Sequence, residues 1–454
     1  PCGTLFPYTT LFRSLHVHGE GAKGVLKQAG KFFFGRLGAC RLRGSLCDAA
    51  GFMAHIHDFG SRSNPDPRDL LNSRSIVNWG KDLSRSSIHL AAFVQKVRKT
   101  GIKMLTISPG GDGNTHFSDD TIRIRPGTDR FLAAAVVRRL IDKDAVSEKV
   151  LSSAKNWEKF KQLVTKVSAA EMLKHCDVSE EKLQKLLNYY TLKNPTATII
   201  GAGLQRYDYG GENVRYVNAL AMISGNIGRS GGGSYFHLDS LRNFNLDWVN
   251  SSGLKGRRSF LEPLIGREIE SADPPVRMIW VNGSNIVNQA PDIGKTAGAF
   301  GNVDFKVVVD AFMTDTANHA DLFLPSTLML EQEDIIASYL HDYIHYVPAV
   351  LPAPGEARSD FQIFSELGKK LNPPILLPES DSCLRFSLNS QHLNVSLESV
   401  RQQKFVRANR PMIPYENSKF DHRDGKYRFP KALHPEPPPP ENYPLRLLSL
   451  IRRD

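Results

Sequence analysis

Short apolar runs that stop on Gly, Asn or Asp recur along this chain, and stretches with helical spacing separate them. Ser75–Trp79 closes on Gly80, and Lys103–Ile107 runs into a loop of Gly, Asp and Asn. Between them Ile88–Lys99 carries apolar residues at helical spacing. Strand, helix and strand in that order make a parallel pair with a right-handed crossover. The pattern continues through Ile122–Ile124, the helix Arg130–Ile141, Thr196–Ile200 and a helix ending at Ile223. It restarts at Arg277–Val281, Phe305–Val309 and Leu322–Leu324. The fold class that follows is α/β, with two doubly wound units in series. Such sheets bind ligands beyond the C-terminal ends of their strands.

In linear order, Thr4–Ser14 (TLFPYTTLFRS) reads as a translated sequencing-library adapter, so residues 1–14 are set aside as an artefact. Residues 15–74 read as the remnant of an N-terminal region. The first α/β domain is expected over 75–240 and the second over 241–371. The Pro-rich stretch 372–454, with four consecutive prolines at Pro437–Pro440, reads as a linker towards a further domain.

Composition narrows the partners. The formal charge is +11, but the basic residues are scattered among acids and no long block of like charge occurs. That patterning argues against nucleic acid and leaves a polyanionic ligand such as a nucleotide diphosphate. No apolar run has the length a membrane-spanning helix needs. Cys2, Cys40, Cys47, Cys176 and Cys383 are widely spaced without a C-x-x-C pair, so this stretch encodes neither a zinc ribbon nor a complete iron–sulfur site.

Several short motifs carry possible chemistry, each with a plainer reading beside it. Gly201–Ala202–Gly203 after a strand allows backbone N–H groups to approach a diphosphate, or simply makes a turn. In Pro126–Gly127–Thr128–Asp129 a carboxylate at a helix start can accept two donors of a guanine edge, or the segment is a helix cap with Thr128 as N-cap. The run Asp310–Thr316, with Phe312 and Thr314 inside it, packs polar groups at a strand end, where they can hold a polar ligand or cap the next helix. His341 and His345 would share one face of a helix, but the glutamate of a zinc-protease motif is replaced by Asp342. Cys47, among the small residues of Gly44–Gly51, is either a soft metal ligand or an inert thiol.

Taken together and in this order, the motifs resemble the molybdopterin oxidoreductases of the dimethyl-sulfoxide-reductase superfamily, the formate dehydrogenases included. The resemblance runs from about Phe32 to Tyr443. It is carried by Asp69–Gly80 (DLLNSRSIVNWG), Ile124–Asp129 (IRPGTD), Ile200–Gln205 (IGAGLQ), Leu220–Gly233, Trp280–Asn285 (WVNGSN), Asp310–Thr327 with Glu331, and Gly355–Phe361. It implies two dinucleotide-binding-type domains, each holding one molybdopterin guanine dinucleotide, and one molybdenum or tungsten ion clamped between four dithiolene sulfurs. Cys47 falls at the place of the protein ligand to the metal, with Cys40 as its rival. The carried-over cofactor contacts are Trp79, Gly80, Asp129, Gly201, Gly203, Gln205, Asn282, Gly283, Asp310, Phe312, Thr314 and Thr316. Arg242 is a candidate substrate-facing, catalytic residue.

The chain departs from the family pattern at three places. Ser108–Pro109–Gly110 stands for the usual Asp-Pro-Arg, Asp82–Leu83 for Asn-Pro, and Asp48 for the histidine that follows the metal ligand in formate dehydrogenases. The resemblance further implies a [4Fe–4S] cluster domain before Leu15, a cap domain after Asp454, and a fragment inactive by itself. Its chemistry would be two-electron or oxygen-atom transfer to an unspecified small-molecule substrate, as in anaerobic respiration. An iron–sulfur electron-transfer subunit and a membrane anchor subunit would be its partners, and the compartment would be cytoplasm or periplasm. Two other readings stand beside it. One is an NAD-dependent α/β enzyme, which would place an acid about twenty residues past the glycine turn, where Ala221–Gly225 has none. The other is a scaffold subunit that keeps the fold without metal.

Overall fold

The computed structural model describes residues 13–19, 21, 23–111, 113–191, 194–250, 258–445 and 448. In chain order the strands are β1 (Ser14–His18), β2 (Cys40–Arg43), β3 (Ser75–Trp79), β4 (Lys103–Ser108), β5 (Asp120–Arg123), β6 (Thr196–Ile200) and β7 (Ser234–Tyr235). They continue as β8 (Ser259–Leu261), β9 (Met278–Asn282), β10 (Phe305–Asp310), β11 (Leu322–Pro325), β12 (Asp334–Ile336), β13 (Tyr343–Val347) and β14 (Phe405–Arg407). The chain divides into two units. The first joins the segment up to Leu46 with Asp239–Arg410; the second joins Cys47–Leu238 with the segment from Pro411.

The second unit is a five-stranded parallel sheet in the order β5-β4-β3-β6-β7. From β3 the chain winds outward through β4 to β5; it then returns to β6 and winds the other way. The order therefore switches between β3 and β6, where Trp79–Gly80 and Ile200–Gly201 stand side by side. β3 and β6 are buried along their whole length, as strands covered on both faces must be. The helices Asp129–Asp142 and Gly210–Ile223 are correspondingly buried over most of their surface.

The first unit holds a six-stranded parallel sheet in the order β11-β10-β9-β1-β2-β8. The same winding rule puts its switch between β1 and β9, whose ends are His18–Gly19 and Asn282–Gly283. Leu15, Val17, Ile279, Val281 and Val308 pack on one face with Phe260 and Phe300. Phe33, Phe34, Trp280, Val307 and Phe364 pack on the other. A small antiparallel sheet, β12-β13-β14, completes the unit with the helices Ser380–Leu388 and Leu397–Gln403.

This division differs from the linear boundaries in three ways. The stretch 15–74 is part of both units, not set apart from them: β1 is central in the six-stranded sheet, although its alternating histidines suggest a half-exposed strand. His16 is fully buried there because Asn282 Oδ1 partners its Nε2 at 2.8 Å and Phe34 stacks on its ring. Ser14 already belongs to β1, and the Arg13 carbonyl accepts the N–H groups of Arg277 and Met278; the rest of the adapter-like segment, Thr4–Phe12, lies outside the described residues. Nor is 372–454 a linker as a whole. Cys383, Leu384, Leu397 and Val400 enter the core of the first unit, and Tyr415, Phe420, Tyr427 and Phe429 that of the second. Two helices and β14 fix the first part of this run, and aromatic anchors fix the part after Pro411. His345 lies on a strand, and its ring is 5.6 Å from that of His341.

Candidate functional site

The second unit presents its strand ends at the β3/β6 switch. Gly80 adopts φ +72°, and a Cβ at Gly201 would stand 2.2 Å from the Gly80 carbonyl oxygen. Only glycine permits that approach. Gly203 lies in the following turn, Ala202–Gln205, with open space where a Cβ would be. Trp79 is buried, and its indole Nε1 donates to Asp129 Oδ1 at 2.8 Å. Asp129 begins the helix Asp129–Asp142 and is buried; burial pushes its carboxyl up to about 6. One carboxylate oxygen is thus engaged within the protein. Thr128 does not cap this helix: its hydroxyl donates back to the Arg125 carbonyl at 2.7 Å.

Lys81, which the motifs did not single out, follows Gly80 directly. The Asn78 and Asn114 amides both donate to its carbonyl, at 2.9 and 2.7 Å. It is buried to 9% exposure, and burial alone pushes its ammonium down to about 8. A lysine beside a strand-end glycine is the signal that could have found it.

Cys47 precedes the helix Ala49–Phe59 and is exposed, whereas Cys40 is buried in β2 and burial pushes its thiol up to about 11. A thiolate is needed to bind a metal, so these environments favour Cys47. Gln205 joins the Cys47 turn: its Nε2 donates to the Cys47 carbonyl at 2.5 Å, and its Oε1 accepts the Gly51 N–H. The neighbouring Asp48 carboxylate lies 3.4 Å from His237 Nδ1. His55 is fully buried, with no hydrogen bond at either ring nitrogen among the described residues, and burial and the nearby His237 hold its imidazole neutral, down to about 3.

In the first unit, Asn282 and Gly283 end β9 at the switch with β1. The Asn282 amide bridges His16 and, at 3.3 Å, Asp360, which pairs with Lys27 at 2.7 Å. Lys27, Lys31 and His18 line a small cleft with Gly19, Asn282 and Gly283. A Cβ at Gly19 would stand 1.8 Å from the Gly283 oxygen, so this strand end too is closed to side chains. Asp310 ends β10 and accepts the Phe312 N–H at 3.2 Å, and Phe312 is exposed. Thr314 Oγ1 accepts the Ala317 N–H at 3.3 Å.

Two expected contacts turn inward. Thr316 is fully buried; its hydroxyl donates to Asn285 Oδ1 at 2.7 Å and accepts the Val287 N–H at 3.0 Å. Both of its roles are used within the loop. Arg242 lies 3.8 Å from Asp342 Oδ1, which also accepts the Asn243 amide at 2.8 Å, while Arg410 donates to Asn243 Oδ1 at 2.8 Å. That network ties the arginine to an internal carboxylate.

Cradles closed to any Cβ, a buried lysine and a basic cleft suit a polyanionic dinucleotide, and an exposed thiol suits a soft metal. The sequence pattern of the family described as molybdopterin oxidoreductase matches residues 29–370. Probable oxidoreductase YyaE of Bacillus subtilis (strain 168) is 33% identical over 427 residues, 92% of this chain and 64% of that protein. The assimilatory nitrate reductase catalytic subunit of the same organism is 24% identical, over 72% of this chain and 50% of its own length. This chain thus spans roughly half to two thirds of these relatives. Acetylene hydratase from Pelobacter acetylenicus superposes with a TM-score of 0.75 at 15% identity, over 92% of this chain and 63% of that one, and so shares the fold.

Proposed function

Because this chain belongs to the molybdopterin oxidoreductase family, we propose that it is the cofactor-binding part of the catalytic subunit of a molybdenum or tungsten enzyme. In this reading each unit holds one molybdopterin guanine dinucleotide at its switch point. Gly80, Gly201 and Lys81 receive it in the second unit, with Trp79 and Asp129 beneath; Gly19, Asn282, Gly283 and the Lys27–Lys31 side receive it in the first. Cys47 supplies the protein ligand to the metal. The bound metal and its pterins would supply the two-electron or oxygen-atom transfer, and the protein supplies orientation and charge.

The observation that carries this reading is the pair of switch points, at each of which one strand-end glycine, Gly201 or Gly19, lies too close to the neighbouring strand end for a Cβ. A small-molecule substrate follows from the reaction class. An electron-transfer subunit, with or without a membrane anchor, belongs to the same proposal, because relatives are named as subunits and chains: the F420-dependent formate dehydrogenase subunit alpha of Methanocaldococcus jannaschii and the putative dimethyl sulfoxide reductase chain YnfE of Escherichia coli. A [4Fe–4S] cluster is proposed with it on the family resemblance alone. The test is the content of the purified full-length protein. Metal with two guanine nucleotides per chain supports the reading; a folded protein from the native host without metal or pterin rejects it in favour of a scaffold.

A further inference from the structure

Gln205 reaches across 158 positions to the turn that carries Cys47. Its amide spans that turn from end to end. Nε2 holds the Cys47 carbonyl, just before the helix Ala49–Phe59 begins, and Oε1 takes the N–H of Gly51 in the first helical turn. That N–H has no partner within the helix, so the Oε1 contact by itself does the work of a cap. The Nε2 contact is different: no cap needs it, and it fixes the peptide of Cys47 itself.

The surroundings leave Gln205 little freedom. It is buried and closes the turn Ala202–Gln205 that follows β6. A Cβ at Gly210 would stand 2.1 Å from the Gln205 carbonyl oxygen and 2.6 Å from its Cα, so Gly210 is the clearance behind it. A Cβ at Gly51 would stand 2.2 Å from the Phe236 ring and 3.1 Å from Gln205 Oε1, so Gly51 is the clearance in front. The amide thus sits between two glycines and bridges two backbone groups of one turn.

We infer that Gln205 is a positioning residue for Cys47: its amide clamps the peptide on either side of the helix start and so sets the direction in which the thiol leaves the turn towards a metal. This rests on the reading of Cys47 as the metal ligand, and it assigns Gln205 to the ligand loop in place of the dinucleotide.

Gln205→Glu separates the two contacts. The introduced carboxyl keeps an acceptor for the Gly51 N–H, but when ionised it sets an acceptor against the Cys47 carbonyl; when protonated it donates there again. The measurement is X-ray absorption at the metal edge, with the Mo(V) or W(V) resonance, on the full-length loaded enzyme at acid and alkaline pH. Gln205→Glu should lose the thiolate sulfur from the metal shell at alkaline pH and regain it at acid pH, with pterin content unchanged. Gln205→Met should lose it at both. Where a variant does not load, alkylation of Cys47 in the cofactor-free protein gives the second readout: its rate relative to wild type should rise several-fold for Gln205→Glu at alkaline pH and return at acid pH. Unchanged sulfur count, resonance and alkylation in Gln205→Glu would overturn the inference. Cys47→Ala separates the premise: if it keeps the wild-type sulfur count, the metal-ligand reading fails, whereas its loss of one sulfur beside an unaltered Gln205→Glu sinks only the clamp.

Discussion

The indole Nε1 of Trp79 donates to Asp129 Oδ1 at 2.8 Å, tying the last residue of β3 to the first residue of a helix fifty positions later. Both residues lie where the second unit's strand order reverses, so one hydrogen bond sets the floor of the proposed dinucleotide site. It also keeps a carboxyl in a place that penalises its charge.

That penalty has a sign. The Asp129 carboxyl stands near 6 in the folded protein, above its ordinary value, because burial disfavours the ion. The folded state therefore keeps its proton between about pH 4 and 6 while the unfolded chain loses it, and stability falls as pH rises through that window. The gap corresponds to roughly 3 kcal/mol once the group is ionised in both states. Asp129→Asn removes that penalty, so the cofactor-free protein should melt higher at pH 8 and unchanged at pH 4. The same variant should purify with less than about half the normal guanine nucleotide, since an acceptor worth roughly 1.5–3 kcal/mol per hydrogen bond becomes a donor. Asp119→Asn, at an exposed ion pair with Arg98, should leave nucleotide content alone. Equal nucleotide in both variants would reduce Asp129 to a structural role.

Lys81 behaves oppositely in charge and alike in logic. Burial holds its ammonium near 8, below the ordinary lysine value, so the folded state is penalised below pH 8 and relieved as pH rises from about 8 towards 10. Lys81→Met should raise the melting temperature of the cofactor-free protein at pH 7. It should also weaken binding of inorganic pyrophosphate, measured by calorimetry, by about tenfold or more, as expected for a loss near 1.4 kcal/mol. Undiminished pyrophosphate affinity would remove Lys81 from the anion site.

Thiol chemistry should separate the cysteines. Cys47 is exposed, while Cys40, Cys176 and Cys383 are buried with thiols pushed up to about 11, 12 and 12. Iodoacetamide at pH 8 should label Cys47 first among these four, as read by peptide mass spectrometry. In the complete enzyme Cys47→Ala should abolish turnover and retain most of the pterin, with Cys40→Ala nearly silent. The reverse pattern would make Cys40 the ligand.

Thr316→Val keeps the volume of a fully buried side chain but strands the Val287 N–H. It should cost about 1–3 kcal/mol in denaturant unfolding and leave cofactor content at the wild-type level. Cofactor loss without destabilisation would return Thr316 to the ligand.

The strands were legible where the chain alternates cleanly between apolar run and stop: Ser75–Trp79 and Thr196–Ile200 occupy the same residues in sequence and structure. β1 was not, because SLHVH looks amphipathic until Asn282, 266 positions away, is seen to satisfy His16. Gln205 could be read as part of a glycine turn but not as a clamp, since its partners Cys47 and Gly51 are distant in sequence. Lys81 carries no periodic signal; its place after the strand-end Gly80 points to it, and its burial sets it apart from the surface lysines.

β1 pairs with β9, and Ser14 and Met278 are 264 residues apart along the chain. During synthesis the central strand of that sheet leaves the ribosome long before its neighbour exists. At ~5–20 residues per second the delay is roughly 13–50 s. Throughout it β1 and β2 present apolar faces and an unpaired edge, while Cys47–Leu238 is made in full and lacks only the aromatic anchors that follow Pro411. Nascent chains arrested between Arg43 and Met278 should therefore be retained by a holdase that binds apolar strands, and chains arrested well beyond Asn282 should be released.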